Sequence, residues 1–118
     1  MGIQKWSDSI TVVELSDDPQ FSDDLISVTD ALEVKPTDVV LNFAAVAFIN
    51  SSNVAQLLRL RKMIVGKNRH LILCDINTQV WGVFLVTGLD KIFEVTGDVS
   101  TALTTLQLAS SPGEQAGD

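Results

Sequence analysis

Two short apolar runs, residues 39–43 and 70–76, constrain this chain more than any other feature of its sequence. The first reads Val39-Val40-Leu41-Asn42-Phe43, and the second contains Leu71-Ile72-Leu73-Cys74. A strand covered on one face alternates apolar and polar residues; a strand covered on both faces has no polar side to display. Between the runs, residues 52–65 show a helical period, with Val54, Leu57, Leu58, Ile64 and Val65 at three- and four-residue spacings. Strand, amphipathic helix, strand predicts a parallel crossover with helices packed against a sheet.

The same alternation continues outward in both directions. Ile10-Thr11-Val12-Val13-Glu14-Leu15 is rich in β-formers, and a short strand near residues 3–7 would join it through an Asp8-Ser9 turn. Ser16-Asp17-Asp18-Pro19 breaks that strand, and a helix over residues 22–34 follows, with Leu25, Ile26, Val28 and Leu32 as its apolar positions and Pro36 as its stop. Gly66 is expected to end the central helix. Residues 78–87 form a further helix closed by Gly88, a natural left-handed terminator. Residues 92–95 are a last short strand and 101–108 a last helix. The expectation is an α/β domain with a mixed, mostly parallel sheet of four to five strands and about four helices. It should occupy residues 1–109, leaving residues 110–118 as a disordered, polar tail.

Composition narrows the function. The chain has 118 residues, 46% of them hydrophobic, which suits one domain with a real core. A membrane-spanning helix needs roughly 20 apolar residues; the longest apolar stretch, residues 39–49, is shorter and contains Asn42. Met1-Gly2-Ile3-Gln4-Lys5 has no charged leader followed by an apolar run, so a cytoplasmic location without a signal peptide or membrane insertion is expected. Cys74 lies in a buried run and reads as a small hydrophobe; as the one cysteine it has no internal disulfide partner. A formal net charge of −7 argues against nucleic-acid binding, which needs a cationic surface to displace counterions. Arg59, Arg61, Lys62, Lys67 and Arg69 nevertheless cluster within residues 59–69, either as a solvated helix face or as a field that steers a partner.

The stretch with the most to say about function is Phe48-Ile49-Asn50-Ser51-Ser52-Asn53-Val54-Ala55-Gln56-Leu57-Leu58. Small polar residues stand where a buried strand ends and an amphipathic helix begins. Ser51 or Ser52 is expected to cap that helix, its oxygen accepting from an orphan N–H of the first turn. The segment resembles the "F-[MI]-D-S-[ST]-G" signature of STAS-domain anti-sigma factor antagonists. A second block, Val80-Trp81-Gly82-Val83-Phe84-Leu85-Val86-Thr87-Gly88-Leu89-Asp90-Lys91-Ile92-Phe93, is similar to that family's "V-x-x-[LV]-[FL]-x-[LV]-T-G-L-x-x-[IL]-F". The likeness covers most of residues 3–109. Asn50 replaces the motif's Asp and Asn53 its Gly.

The resemblance implies the STAS fold and a phosphorylation switch in a bacterial, cytoplasmic regulator of transcription. In such proteins the first hydroxyl residue after the motif's Asp is phosphorylated by an anti-sigma factor that is also a serine kinase, and a serine phosphatase resets it. The matching position is Ser51, with Ser52 as the fallback. The partner-binding residues expected around it are Asn50, Ser52, Asn53 and Gln56, with Trp81 and Leu85 added from this chain's own pattern on the downstream helix. A phosphate at a helix start meets N–H donors and the positive end of the dipole and adds about −1.5 to −2 charges. Arg61 and Lys62 lie about ten residues along the helix, roughly 15 Å away, against a screening length of about 8 Å. They are too far to neutralise it.

Trp81 and Leu85 are four apart and should share a face, beside Val80, Val83 and Phe84 turned to the sheet. That face is either a contact for a homodimer or partner, or is covered by the chain itself. No enzyme is expected. There is no glycine-rich phosphate loop, no nucleophile elbow around Ser51 and Ser52, and no Cys or His partner at metal spacing for His70, so neither a cofactor nor a metal is implied. The alternative to a switch is a non-phosphorylated STAS subunit or scaffold of a transport or signalling complex.

Overall fold

A computed structural model describes residues 2–110. Strands β1 (Ile3–Lys5) and β2 (Ile10–Ser16) form the opening hairpin; α1 (Gln20–Val34), β3 (Asp38–Ala45), α2 (Ser51–Gly66), β4 (Leu71–Cys74) and α3 (Thr78–Thr87) follow. A 3-10 turn (Leu89–Lys91), β5 (Glu94–Thr96) and α4 (Val99–Ser110) complete the described chain. The single five-stranded sheet has the order β1-β2-β3-β4-β5. β1 runs antiparallel to β2, and every other neighbour is parallel. This is the α/β architecture read from the sequence. The disordered-tail expectation lies, from residue 111 onward, outside the described residues; Ser110 is the last residue of α4.

Period-two alternation divides the strands between two cores. Val13, Leu15, Val39, Leu41, Phe43, Leu71 and Leu73 turn to α1, α2 and α3, whereas Ile10, Val12, Val40, Ile72 and Cys74 turn to Ala102 and Leu106 of α4. An aromatic chain runs through the larger core. Phe43 meets Phe21 edge-on at 6.1 Å and Phe84 at 6.4 Å, and Phe84 meets Phe93 at 5.9 Å. These contacts anchor the end of β3, the strand that leads into the serine segment.

Several expectations need correction. The buried stripe of α2 is Asn53, Leu57, Leu60 and Ile64; Leu58 and Val65 are exposed. Each lies one residue, about 100° of helix, beyond a buried neighbour. Ile26 is turned outward in the same way, and Phe21 takes its place in the core. β4 is shorter than residues 70–76, because Asp75 adopts a left-handed φ of 58° and leaves the ladder while His70 stays exposed. β5 begins at Glu94 rather than Ile92, since the 3-10 turn after Gly88 (φ 77°) carries the chain past Ile92 and buries Phe93. Gly66 is still helical; the left-handed residue that ends α2 is Asn68, with φ 59°.

The amino edge of the sheet has its own clamp. Asp38 is 2% exposed, and its Oδ1 lies 3.1 Å from Arg69 Nε while accepting the backbone N–H of His70 at 2.9 Å. Arg69 also donates to the Ser9 carbonyl at 3.0 Å. The starts of β2, β3 and β4 are thereby tied together.

Candidate functional site

At the opposite, carboxyl edge, the loops after β2, β3 and β4 converge, which is where open α/β sheets place their sites. The loop between β3 and α2 is pinned from both sides. Ala47 N–H donates to Asp17 Oδ1 at 2.9 Å, and Asn77 Nδ2 donates to the Val46 carbonyl at 2.8 Å. Asn77 also caps α3, its Oδ1 accepting Val80 N–H at 2.8 Å. Val46 and Ile49 are buried under this loop, and Phe48 is left 68% exposed.

The cap of α2 is neither serine. It is Asn50, in extended geometry (φ −114°, ψ 178°), whose side chain accepts Asn53 N–H at 2.8 Å. Asn53 Oδ1 accepts Asn50 N–H at 3.1 Å in return, which closes a capping box. The physical reason is economy of donors: with Asn50 and Asn53 satisfying each other, Ser51 and Ser52 fall at the first two helical positions with their hydroxyls free. Both serines are exposed, and neither side chain has a hydrogen-bond partner among the described residues. Their backbone N–H groups belong to the first turn, whose donors have no acceptor within the helix.

Asn53 does more than cap. It is 3% exposed, and its Nδ2 donates to Asp18 Oδ2 at 3.0 Å and to Gln56 Oε1 at 3.2 Å. Asp18 Oδ1 accepts both the backbone N–H and the hydroxyl of Ser22, at 3.0 and 2.7 Å. Gln56 Nε2 donates to Ser22 Oγ at 3.0 Å. The bond from Asn53, then those from Ser22, hold the Asp18 carboxyl below its ordinary pKa of 3.8. One anion is therefore fixed beside the start of α2 without being covalently part of it.

The residues expected at the site separate into two places. Asn50, Ser51, Ser52, Asn53 and Gln56 come together at the start of α2. Asn53, expected on a partner-binding surface, is buried and holds the site from below. Trp81 and Leu85 belong elsewhere, on α3. Trp81, expected to share an outer apolar face, is half-buried; it stacks on Phe84 at 6.0 Å and packs against the larger core. Leu85 remains 54% exposed, next to Val86 at 88%. Asp17, Asp18, Ser22 and Phe48 were given no role at the site from the sequence. The available signal was topological: residues just after β2 must share the carboxyl edge with those just after β3.

Cys74 is fully buried, its Sγ donating to the Leu41 carbonyl at 3.6 Å. Burial first, and the nearby Asp75 second, push its thiol up to about 12. Among the described residues no cluster of His, Cys, Asp and Glu could hold a metal ion, and no helix is long and apolar enough to cross a membrane.

The sequence matches the family model of the STAS domain over residues 7–102. The chain belongs to the STAS domain family. Solved structures share the fold of this STAS domain at low identity. A protein from Thermotoga maritima assigned as an anti-sigma factor antagonist is 18% identical, with TM-score 0.78 over 89% of this chain and 92% of its own. An anti-sigma-factor antagonist STAS protein from Planctomyces limnophilus is 19% identical, with TM-score 0.75 over 88% and 97%. The phosphorylated form of the Bacillus cell fate determinant SpoIIAA is 17% identical, with TM-score 0.69 over 87% and 96%. No curated protein matches this STAS domain in sequence.

Proposed function

We propose that this chain is an anti-sigma factor antagonist-like regulator, a bacterial, cytoplasmic protein that changes partners when Ser51 is phosphorylated, and that it has no catalytic activity of its own. The observation that carries this reading is the Ser51 hydroxyl, exposed and unbonded at the first turn of α2. Around it lie the exposed Phe48 and Ala47, an apolar apron that suits a protein partner better than a small molecule. The partner is a serine kinase that doubles as an anti-sigma factor. Ser51 Oγ attacks the γ-phosphorus of ATP held by that kinase, its proton passes to a base of the kinase, and ADP leaves. A serine phosphatase hydrolyses the ester. The added charge, about −1.5 to −2, adjoins the negative Asp18 and projects at the partner, so the phosphorylated form lets go.

The test is to incubate the protein with ATP and its cognate kinase and locate the modification by mass spectrometry. Phosphate is expected on Ser51, absent in Ser51→Ala and retained in Ser52→Ala, and Ser51→Asp should weaken kinase binding. No incorporation, with unchanged affinity for Ser51→Asp, would overturn the reading.

A second reading is a non-switching STAS subunit of a transport or signalling complex. What favours it is the Asn50–Asn53 box with Asp18 attached: the anion-friendly end of α2 already has a carboxylate beside it.

A further inference from the structure

We infer that the groove between α1 and α2 is a self-complementary surface through which two copies of this chain associate about a two-fold axis parallel to the helices. The groove has a volume of about 290 Å³. Leu25 and Leu60 form its buried floor; Ile26, 57% exposed, and the exposed Asp30 and Arg59 form its rims.

Charge identifies the occupant. The outer side of α1 carries the exposed carboxylates Asp23, Asp30 and Glu33, and that of α2 the exposed cations Arg59 and Lys62. None of these five forms an ion pair among the described residues. An acidic helix thus lies beside a basic one, with an apolar furrow between. A partner of a single charge sign would satisfy one helix and repel the other. A second copy satisfies both.

Symmetry fixes how. Each of α1 and α2 returns the chain between parallel strands, so the two helices run in the same direction. A two-fold axis across them would stack α1 on α1, acid against acid. An axis along the furrow places α1 of each copy over α2 of the other. Asp30 then faces the second copy's Arg59 and Arg59 its Asp30, while Ile26 meets its own counterpart near the axis. Both copies keep the start of α2 at the same end of the pair, so the two Ser51 hydroxyls lie on one edge. The inference does not rest on Ser51 being modified.

The formal charge of −7 on each copy opposes association at long range. At physiological salt, screening over about 8 Å damps that repulsion and leaves the close pairs largely intact. Sedimentation equilibrium of the whole protein under those conditions should give a dimer. Asp30→Arg and Arg59→Asp, both at exposed positions, should each weaken self-association by about tenfold or more, with circular dichroism and thermal unfolding as the check on folding. Mixing the two variants in equal amounts should restore the dimer, because every contact then joins an arginine to an aspartate. A monomeric parent protein overturns the inference. So does a dimer that survives each of the two substitutions made singly, or one lost instead on Leu85→Glu, which would move the contact to α3.

Discussion

Asn53 Nδ2 donates to Asp18 Oδ2 across 3.0 Å, joining the first turn of α2 to the turn that follows β2. The same residue donates its backbone N–H to Asn50 and accepts the N–H of Asn50 in return. One buried amide therefore organises the capping box and fixes the neighbouring carboxylate. Replacing it by the motif's glycine, Asn53→Gly, removes the side-chain bonds to Asn50 N–H, Asp18 and Gln56 and leaves only the backbone N–H donated to Asn50. The expected loss is about 1–3 kcal/mol of folding stability, measured by urea unfolding. Asn50→Ala, which removes the cap acceptor, should cost about 1 kcal/mol.

Acidification provides an independent reading of the same network. The folded-state pKa of Asp18 is depressed below 3.8, first by the bond from Asn53. A depressed carboxyl binds its proton more weakly in the folded than in the unfolded chain. Its stabilisation is present above the unfolded-state value and disappears as pH falls through the folded-state value. NMR should show the Asn53 side-chain amide and the Ser22 amide shifting together in that acid window, below the ordinary carboxylate range. Asp18→Asn should abolish the coupled shift, and Asn53→Ala should move the Asp18 titration up towards its usual value.

Cys74 should resist thiol reagents. With its thiol pushed up to about 12 and no exposed surface, the native protein carries almost no thiolate at neutral pH. Labelling by an alkylating agent should track the unfolded fraction, rising with denaturant in step with the loss of secondary structure. Fast stoichiometric labelling in buffer would contradict the packing described for β4.

Phe84 has no exposed surface and touches three other rings, those of Phe43, Trp81 and Phe93. Phe84→Ala should cost about 3–5 kcal/mol, read by thermal or chemical unfolding. Phe84→Leu should recover a good part of it.

The fold was legible because its strongest signals are long and redundant. Continuous apolar runs located β3 and β4, and Gly88 closed α3 at the position expected. Sidedness was less legible: Ile26, Leu58 and Val65 are apolar residues next to the buried stripes, and composition alone does not set a helix's rotation. At the site, the segment was found but its roles were partly exchanged. Serines are good caps in isolation, yet Asn50 caps because Asn53 stands three residues on to complete the reciprocal pair. Asp18 and Ser22 lie more than 30 positions from their partners Asn53 and Gln56, and hydrogen bonds over such separations leave no periodic trace in a sequence. For Trp81 the sequence left two readings open, an outer contact or cover by the chain itself. Its half-burial against Phe84 reflects the rotation of α3, which a short apolar helix does not encode.

The spatial order of the strands repeats their order in the chain, and that has a consequence for synthesis. Each strand leaving the ribosome finds its neighbour already made, so the sheet can grow by simple addition. The smaller core lacks this advantage. Val12, Val40 and Ile72 wait for Ala102 and Leu106 of α4, which arrive last among the described elements. Until then a greasy sheet face is bare, and a nascent chain arrested before α4 would be a client for chaperones.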